Sequence, residues 1–331
     1  MRTWRLTRVR LWCGRLLLIV CASVGFASAA AAQTVWLAPK APYPPAAISG
    51  NPDLMELFRT NAPWASTARS TKVLQLPTQF MAWVPDIQLE IILQDLKRRG
   101  IKLAIESLAQ NDATEPHCGQ GVEGYGHPKE VAAIAAKIKR VGGELSFLAM
   151  DEPLYFGHYY RGPGACISSV NNVAERVAAV LVEYRKVFPE VLIGDIEPAG
   201  AFRIPEWSSD YRQWVAAFRD KVGTQLGFLR ADIDWNAAEP KRAIADAITL
   251  AHVNNLKFQI IYNGRDTDNS DEAWIQDAKA NIRLSESVIP GRPDAIVFQS
   301  WAPRPIYLLP ETSSSTLTGL VAWYLRSAGH P

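Results

Sequence analysis

The sequence has 331 residues, of which 48% are hydrophobic, and it carries 35 basic against 33 acidic side chains. A chain of this length can bury one large α/β core or two ordinary domains, and no linker, low-complexity tract or charge block divides it. The balanced charge offers no basic surface of the kind that binds nucleic acid, so we predict no nucleic-acid partner.

The first 32 residues have the pattern of a secretory signal peptide. A basic segment with five Arg precedes an apolar run near 16–24, and small residues follow up to Ala32. We predict cleavage close to Gln33, a secreted or periplasmic location, and no stable membrane insertion after cleavage. Removal of residues 1–33 leaves 30 basic and 33 acidic side chains, so the formal charge of the mature chain becomes about −3.

From residue 34 onward, short apolar or β-branched runs alternate with amphipathic segments, which indicates repeated βα units. Eight strands are predicted, at 34–38, 72–76, 101–106, 145–150, 190–195, 227–233, 257–262 and 294–300. Helical spacing of apolar residues lies between them, at 87–99, 128–141, 170–187, 208–221, 239–253, 271–285 and 314–326.

This alternation predicts one α/β fold, a single (β/α)8 barrel over 33–331. The predicted strands are almost continuously hydrophobic, as expected for parallel strands that are covered on both faces. An open doubly wound sheet is the alternative, but no Gly-rich phosphate loop follows any of the strands.

Two cysteines remain after the predicted signal, Cys118 and Cys166. In an oxidising compartment we expect them to form one disulfide, with two unpaired thiols as the alternative. They lie in the long segments that follow the third and fourth predicted strands, so the bond would join neighbouring loops at one end of the barrel.

Acidic residues end four of the eight predicted strands, whereas the opposite strand ends carry a mixed set of charges. These acids are Glu106, Asp151 and Glu152, Asp195 and Glu197, and Asp232 and Asp234. Active sites of (β/α)8 barrels lie at these carboxyl ends. Residues two apart share a face of a strand, so if the last two pairs face the mouth, at least three carboxyls converge there. Such clusters suit glycoside hydrolysis, which needs one protonated and one ionised carboxyl.

The sequence resembles the TIM-barrel glycoside hydrolases in two short motifs. In the large retaining clan of that superfamily the fourth strand ends Asn-Glu-Pro, with Glu as the acid/base, and this chain has Asp151-Glu152-Pro153. The eighth strand ends Ser300-Trp301, and in the clan a Trp at this position commonly forms the floor of the sugar-binding subsite. The clan's nucleophile is a Glu at the end of strand seven, where this chain instead has Tyr262-Asn263-Gly264.

We therefore predict a secreted glycoside hydrolase that cleaves a polysaccharide or oligosaccharide with paired carboxylates. The catalytic candidates are Glu152, followed without a fixed order by Asp232, Asp234 and Glu197. The candidates for substrate binding are Asp151, Glu106, Tyr155, Trp235, Asn263 and Trp301. No cofactor and no metal are expected, and the oligomeric state is left open. The alternative function is a non-hydrolytic carbohydrate-binding barrel of the cell envelope.

Overall fold

The computed structural model describes residues 33–42, 50–112 and 118–327. Eight parallel strands form a closed barrel in which each strand pairs with its neighbours along the chain and the first pairs with the last. The barrel strands are β1 (Thr34–Ala38), β2 (Thr71–Pro77), β3 (Lys102–Ser107), β4 (Phe147–Asp151), β5 (Leu192–Pro198), β6 (Phe228–Asp232), β7 (Lys257–Tyr262) and β8 (Ala295–Gln299). The predicted single barrel is confirmed, while the predicted signal peptide lies outside the described residues.

Helices cover the outside of the barrel. They are α1 (Ala65–Ser70), α2 (Thr78–Trp83), α3 (Asp86–Arg99), α4 (Pro128–Arg140), α5 (Val170–Val187), α6 (Trp207–Val222), α7 (Pro240–Val253), α8 (Asp271–Glu286) and α9 (Leu317–Ser327). The helical patterns predicted the seven longer ones, and α1 and α2 are too short to show a period. None of the helices in the described ranges is long and apolar enough to span a membrane.

Each strand buries both of its faces. The outward side chains pack against the helices, and the inward ones form a separate apolar cluster inside the barrel, which includes Trp36, Ala149, Ile196, Phe228 and Ile261. Successive strand residues alternate between these two layers. At each strand end, the residue that lies an even number of positions from an inner-cluster residue therefore points toward the inside of the barrel and its mouth.

Two loops rise above the mouth. The segment after β3 contains a two-stranded ladder between Gln110–Asn111 and Tyr125–Gly126, and the segment after β4 begins with a π-helical turn, Tyr155–Tyr159. A disulfide joins the two segments at Cys118 and Cys166, whose Cα atoms lie 4.9 Å apart. The predicted bond between neighbouring rim loops is thereby confirmed.

Candidate active site

A cavity of about 480 Å³ opens at the carboxyl ends of the barrel strands. Five carboxyl side chains line it: Glu106, Glu123, Asp151, Glu152 and Asp232. They come from the ends of β3, β4 and β6 and from the loop after β3. The structure thus brings four of the predicted acids together, with the predicted Trp301 in the same lining, and adds Glu123.

Strand parity explains why Asp151 and Asp232 face the cavity. Ala149 on β4 and Phe228 on β6 belong to the inner cluster, and the residues two and four positions further along point the same way. At both strand ends this parity places a carboxyl at the level where the barrel opens.

Glu152 follows directly after β4 and has an unusual backbone conformation. Its N–H donates to the Ile196 carbonyl at 3.1 Å, which extends the pairing to β5 by one residue, and its φ of 45° then turns the chain into the Tyr155–Tyr159 turn. A left-handed conformation at a residue other than glycine costs about 1–3 kcal/mol. Such strain is concentrated at functional sites, where the surrounding structure holds the residue in place.

The Glu152 side chain is only 9% exposed and points into the cavity. Burial raises the pKa of its carboxyl well above the usual value, and the negative charges of Asp232, Asp151, Glu197 and Glu123 raise it further, in that order. A raised pKa favours the protonated form, as a proton donor requires.

Asp232 stands at the end of β6. Burial raises its pKa to about 7, with further increases from Glu106, Glu123 and Asp234 and an opposing effect of Arg230. Asp232 also exerts the largest charge effect on Glu152 of all neighbouring groups. The pKa values of Glu152 and Asp232 are thus raised by different sets of neighbours, and carboxyls in different environments are suited to different roles in one reaction.

Glu106 is held rigidly at the end of β3. One of its oxygens, Oε2, accepts from Nε2 of Gln75 at 2.5 Å and from Nε2 of Gln299 at 2.7 Å. Gln75 is itself fixed, because its own oxygen accepts from Arg230 at 2.6 Å. Burial nevertheless raises the pKa of Glu106.

A buried arginine lies beneath the acids. Arg230 on β6 is fully buried and donates to Gln259 at 2.8 and 3.1 Å, and its guanidinium lies 4.5 Å from the ring centre of Trp36. Burial lowers its pKa to about 9, while Glu106 and Asp232 act in the opposite direction. Its guanidinium donates to Gln75, which lines the cavity, and offsets part of the negative charge of the acids.

Glu123 reaches the cavity from the disulfide-linked loop. The next residue, Gly124, has φ +80° and packs so tightly on β4 that an added Cβ would lie 2.5 Å from the carbonyl oxygen of Asp151. Only glycine allows this approach at a positive φ. Burial raises the pKa of Glu123 as well.

The acids at the end of β5 do not enter the cavity. Ile196 belongs to the inner cluster and lines the cavity, so Asp195 and Glu197 point outward. The carboxylate of Glu197 accepts from the backbone N–H groups of Leu154 at 2.8 Å and Tyr155 at 3.2 Å, and Asp195 accepts from Trp214 Nε1 at 2.7 Å. The condition that this pair faces the mouth is not met, and Glu197 instead holds the turn that follows Glu152.

Three other predicted site residues lie around a second, smaller cavity of about 290 Å³. Asp234, Trp235 and Asn263 line it, and Asp232 and Trp301 are shared with the first cavity. Trp301 is 42% exposed, whereas Trp235 is buried and donates to Asn263 at 2.5 Å. Of the predicted residues, Tyr155 lines neither of these cavities; its ring packs against the core and against Phe156.

Sequence reasoning missed several residues of the larger cavity. Glu123 could have been found as the acid between Gly121 and Gly124 in a rim loop, and Gln75, Arg230 and Gln299 as isolated polar residues inside apolar strands. Lys40, just after β1, also lines the cavity and was overlooked. Across the described ranges, no group of three or more acidic, His or Cys side chains has the geometry to hold a metal ion.

The barrel is similar in fold to two solved xylanases. Native xylanase 10B from Thermotoga maritima has a TM-score of 0.52 and 11% identity over 89% of this chain and 95% of that chain. A thermostable mutant of a xylanase from Cellvibrio japonicus has a TM-score of 0.50 and 11% identity over 89% and 98% of the two chains. No protein-family model and no curated protein matches the sequence. At this identity, the likeness establishes the fold.

Proposed function

We propose that this protein is an exported glycoside hydrolase in which Glu152 is the general acid and Asp232 its ionised partner. One observation carries the proposal: both carboxyls line the same open cavity, and Asp232 is the charge that most strongly raises the pKa of Glu152. Asp234 and Glu197, the other two candidates, lie in the second cavity and on the outer face of β5.

The reaction follows from the two protonation states. Protonated Glu152 donates its proton to the glycosidic oxygen as the bond from that oxygen to the anomeric carbon breaks. Ionised Asp232 stabilises the developing positive charge and either attacks the anomeric carbon or removes a proton from the attacking water. Glu106 and Asp151 are placed to accept hydrogen bonds from sugar hydroxyls, and the exposed ring of Trp301 offers a stacking face between the two cavities.

The pKa values set the pH at which this arrangement works. As the pH rises through about 7, Asp232 loses its proton and the rate is expected to increase. At higher pH Glu152 loses its proton as well, and the rate then falls. We expect a bell-shaped dependence of kcat/KM on pH, with macroscopic pKa values that belong to the coupled pair.

A leaving-group experiment tests the role of Glu152. The protein from Gln33 onward is screened against xylan, other polysaccharides and aryl glycosides, and Glu152→Gln is then compared with the wild type on the best substrate. We expect loss of roughly 10²- to 10⁴-fold on substrates whose leaving group needs a proton, and a much smaller loss on aryl glycosides with acidic leaving groups. Equal losses on both kinds of substrate would contradict the role of general acid.

The partner is tested by Asp232→Asn, with Asp234→Asn as the matched control at the same strand end. Asp232→Asn is expected to remove turnover on every substrate, whereas Asp234→Asn is expected to change it by a few-fold. Saturable binding of a glycan by the wild type without turnover on any substrate would overturn the hydrolase and favour the carbohydrate-binding alternative.

Export is part of the proposal. The Cys118–Cys166 disulfide supports an oxidising compartment, because such bonds persist outside the cytosol. Expression with the native N-terminus in a bacterial host should place the protein in the periplasm or medium. Mass spectrometry of that material should give an N-terminus close to Gln33, and an intact residue 1 would contradict the predicted cleavage.

A further inference from the structure

The larger cavity is strongly unbalanced in charge. Five carboxyls line it, against one basic lining side chain among the described residues, Lys40. The ammonium of Lys40 already donates to the Ala302 carbonyl at 3.3 Å, and burial lowers its pKa. Arg230 lies below and is occupied by Gln75 and Gln259. The mature chain as a whole carries a predicted charge of only about −3, so much of its acidic excess is concentrated in this cavity.

Four of the five carboxyls accept no hydrogen bond within the part of the chain that the structure describes. The side chains of Glu123, Asp151, Glu152 and Asp232 accept no hydrogen bond from any residue in the described ranges, whereas Glu106 accepts two. Glu152 is nine-tenths buried and faces the cavity. Buried polar groups normally find partners, so the oxygens of Glu152 are available to donors that a ligand brings, while Asp151 and Asp232 are half-buried and Glu123 is exposed.

The acidic character of the larger cavity restricts which chemical class of ligand it can bind. A glycan built from uronic acids or carrying sulfate would add negative charge to a site whose acids already repel one another. A neutral glycan would supply hydroxyl donors but no positive charge, so its binding would not favour the ionised form of these acids, whose pKa values are raised by burial. The described residues also offer no group of three or more acidic, His or Cys side chains that could hold a metal ion. An ammonium group on a sugar supplies both donors and positive charge.

We propose that the substrate is a glycan with free amino groups, that is, one containing unacetylated hexosamine units. The ammonium is held by Glu123 and Asp151, which leaves Glu152 and Asp232 for bond cleavage. Glu123 also adds to the negative potential at Asp151, which places the two carboxyls within electrostatic reach of each other. The identification of the glycan as a substrate rests on the proposed hydrolase function, whereas the preference for the amine concerns binding and is tested separately.

The binding test uses two ligands that differ only at the nitrogen. The hexamer of β-1,4-linked glucosamine and its fully N-acetylated counterpart are titrated by calorimetry into Glu152→Gln, and again into Asp232→Asn, so that neither ligand is consumed. We expect the amine to bind at least about tenfold more tightly in both variants. Added salt should weaken binding of the amine and not of the acetylated ligand. Equal affinities, tighter binding of the acetylated hexamer, or no binding of the amine would overturn the inference.

A second comparison assigns the amine to the Glu123 loop. Glu123→Gln, made in the Glu152→Gln background, is expected to reduce the affinity for the glucosamine hexamer about tenfold and to leave that for the acetylated hexamer unchanged. Glu144→Gln is the control, because it removes the same charge from an exposed residue just before β4, at the other end of the barrel. An equal effect of both variants would show only a general response to net charge and would contradict the assignment.

Turnover separates this inference from the function on which it rests. Cleavage of neutral glycans by the wild type, without preference for free amines, would overturn the amine preference and leave the hydrolase intact. Selective binding of the glucosamine hexamer without cleavage of any glycan would overturn the hydrolase and leave the amine preference intact.

Discussion

The ends of β5 and β6 have almost the same sequence and opposite orientations. β5 ends with Asp195-Ile196-Glu197-Pro198, whereas β6 ends at Asp232 and is followed by Ile233-Asp234. In β5 the isoleucine faces the cavity and the two acids face the helices, whereas in β6 the first acid faces the cavity and the isoleucine is buried outside it. A shift of one residue along a strand exchanges its two faces, so identical patterns give different structures.

The two strand ends consequently contribute to the site in different ways. Asp232 is available to a ligand, while Glu197 binds the backbone of Leu154 and Tyr155 immediately after Glu152. The end of β5 therefore supports the strained turn that presents Glu152, and the end of β6 provides the second carboxyl. Four measurements test this division of roles between the two strand ends.

The largest expected effect is on turnover. Asp232→Asn should lower kcat on a verified substrate by roughly 10²- to 10⁴-fold without lowering the melting temperature. Glu197→Gln keeps one acceptor oxygen for the backbone N–H groups and should lower kcat far less while reducing stability. Steady-state kinetics and thermal denaturation of both variants give the comparison, and a greater loss of kcat in Glu197→Gln would reverse the division.

The next effect is on the free energy of unfolding. Glu197→Ala leaves the N–H groups of Leu154 and Tyr155 without their buried acceptor and should cost about 2–4 kcal/mol. Asp234→Ala removes an acceptor from the N–H of Asn236, just after β6. Beyond the loss of that contact, it should lower the free energy of unfolding by less than about 0.5 kcal/mol, because the residue is exposed. Urea denaturation measures both, and similar costs would argue against a supporting role of Glu197.

A smaller effect is expected in the loop that delivers Glu123. Gly121→Ala and Gly124→Ala both place a Cβ at a positive φ, which costs about 1 kcal/mol, but only at Gly124 would the Cβ meet another atom, the carbonyl oxygen of Asp151. Gly124→Ala should therefore be the more destabilising of the pair and should also reduce kcat/KM. Equal stability and activity of the two variants would show that the close contact with β4 is unimportant.

The last measurement is the dependence of stability on pH. The folded pKa of Asp195 and of Asp232 is about 7, above the ordinary value of 3.8. Each acid binds its proton more tightly in the folded state, so the free energy of unfolding should be highest below about pH 4 and should fall as the pH rises to about 7. Melting temperatures measured across this range should decrease, and Asp232→Asn should flatten part of the decrease. A stability that rises over this window would contradict the assigned shifts.

The fold was predictable because its signal repeats. Eight apolar runs separated by amphipathic helices left the barrel as the leading architecture, and the strand predicted at 257–262 has the same bounds in the structure. The short α1 and α2 and the two-stranded ladder at Gln110–Asn111 were missed, since each is too brief to show a period.

The site was predictable only in part. The strand ends located Glu152, Asp151 and Asp232, but the direction of each side chain depends on strand register. In a parallel barrel both faces of a strand are buried, so the apolar pattern does not distinguish inside from outside, and Glu197 was placed on the wrong face. Glu123 was missed because it comes from a loop whose path depends on the disulfide and on the contact of Gly124 with β4.

The backbone at Glu152 implies a trade-off between stability and activity. Its φ of 45° is one that glycine adopts without strain, and its buried carboxyl is surrounded by other acids. Replacement by glycine would remove both the backbone strain and the buried acidic side chain. Glu152→Gly is therefore expected to raise the melting temperature while removing the proton donor, as is common where a site is assembled at the expense of the scaffold. The residue that stability alone would favour least at this position is the one that the proposed chemistry needs.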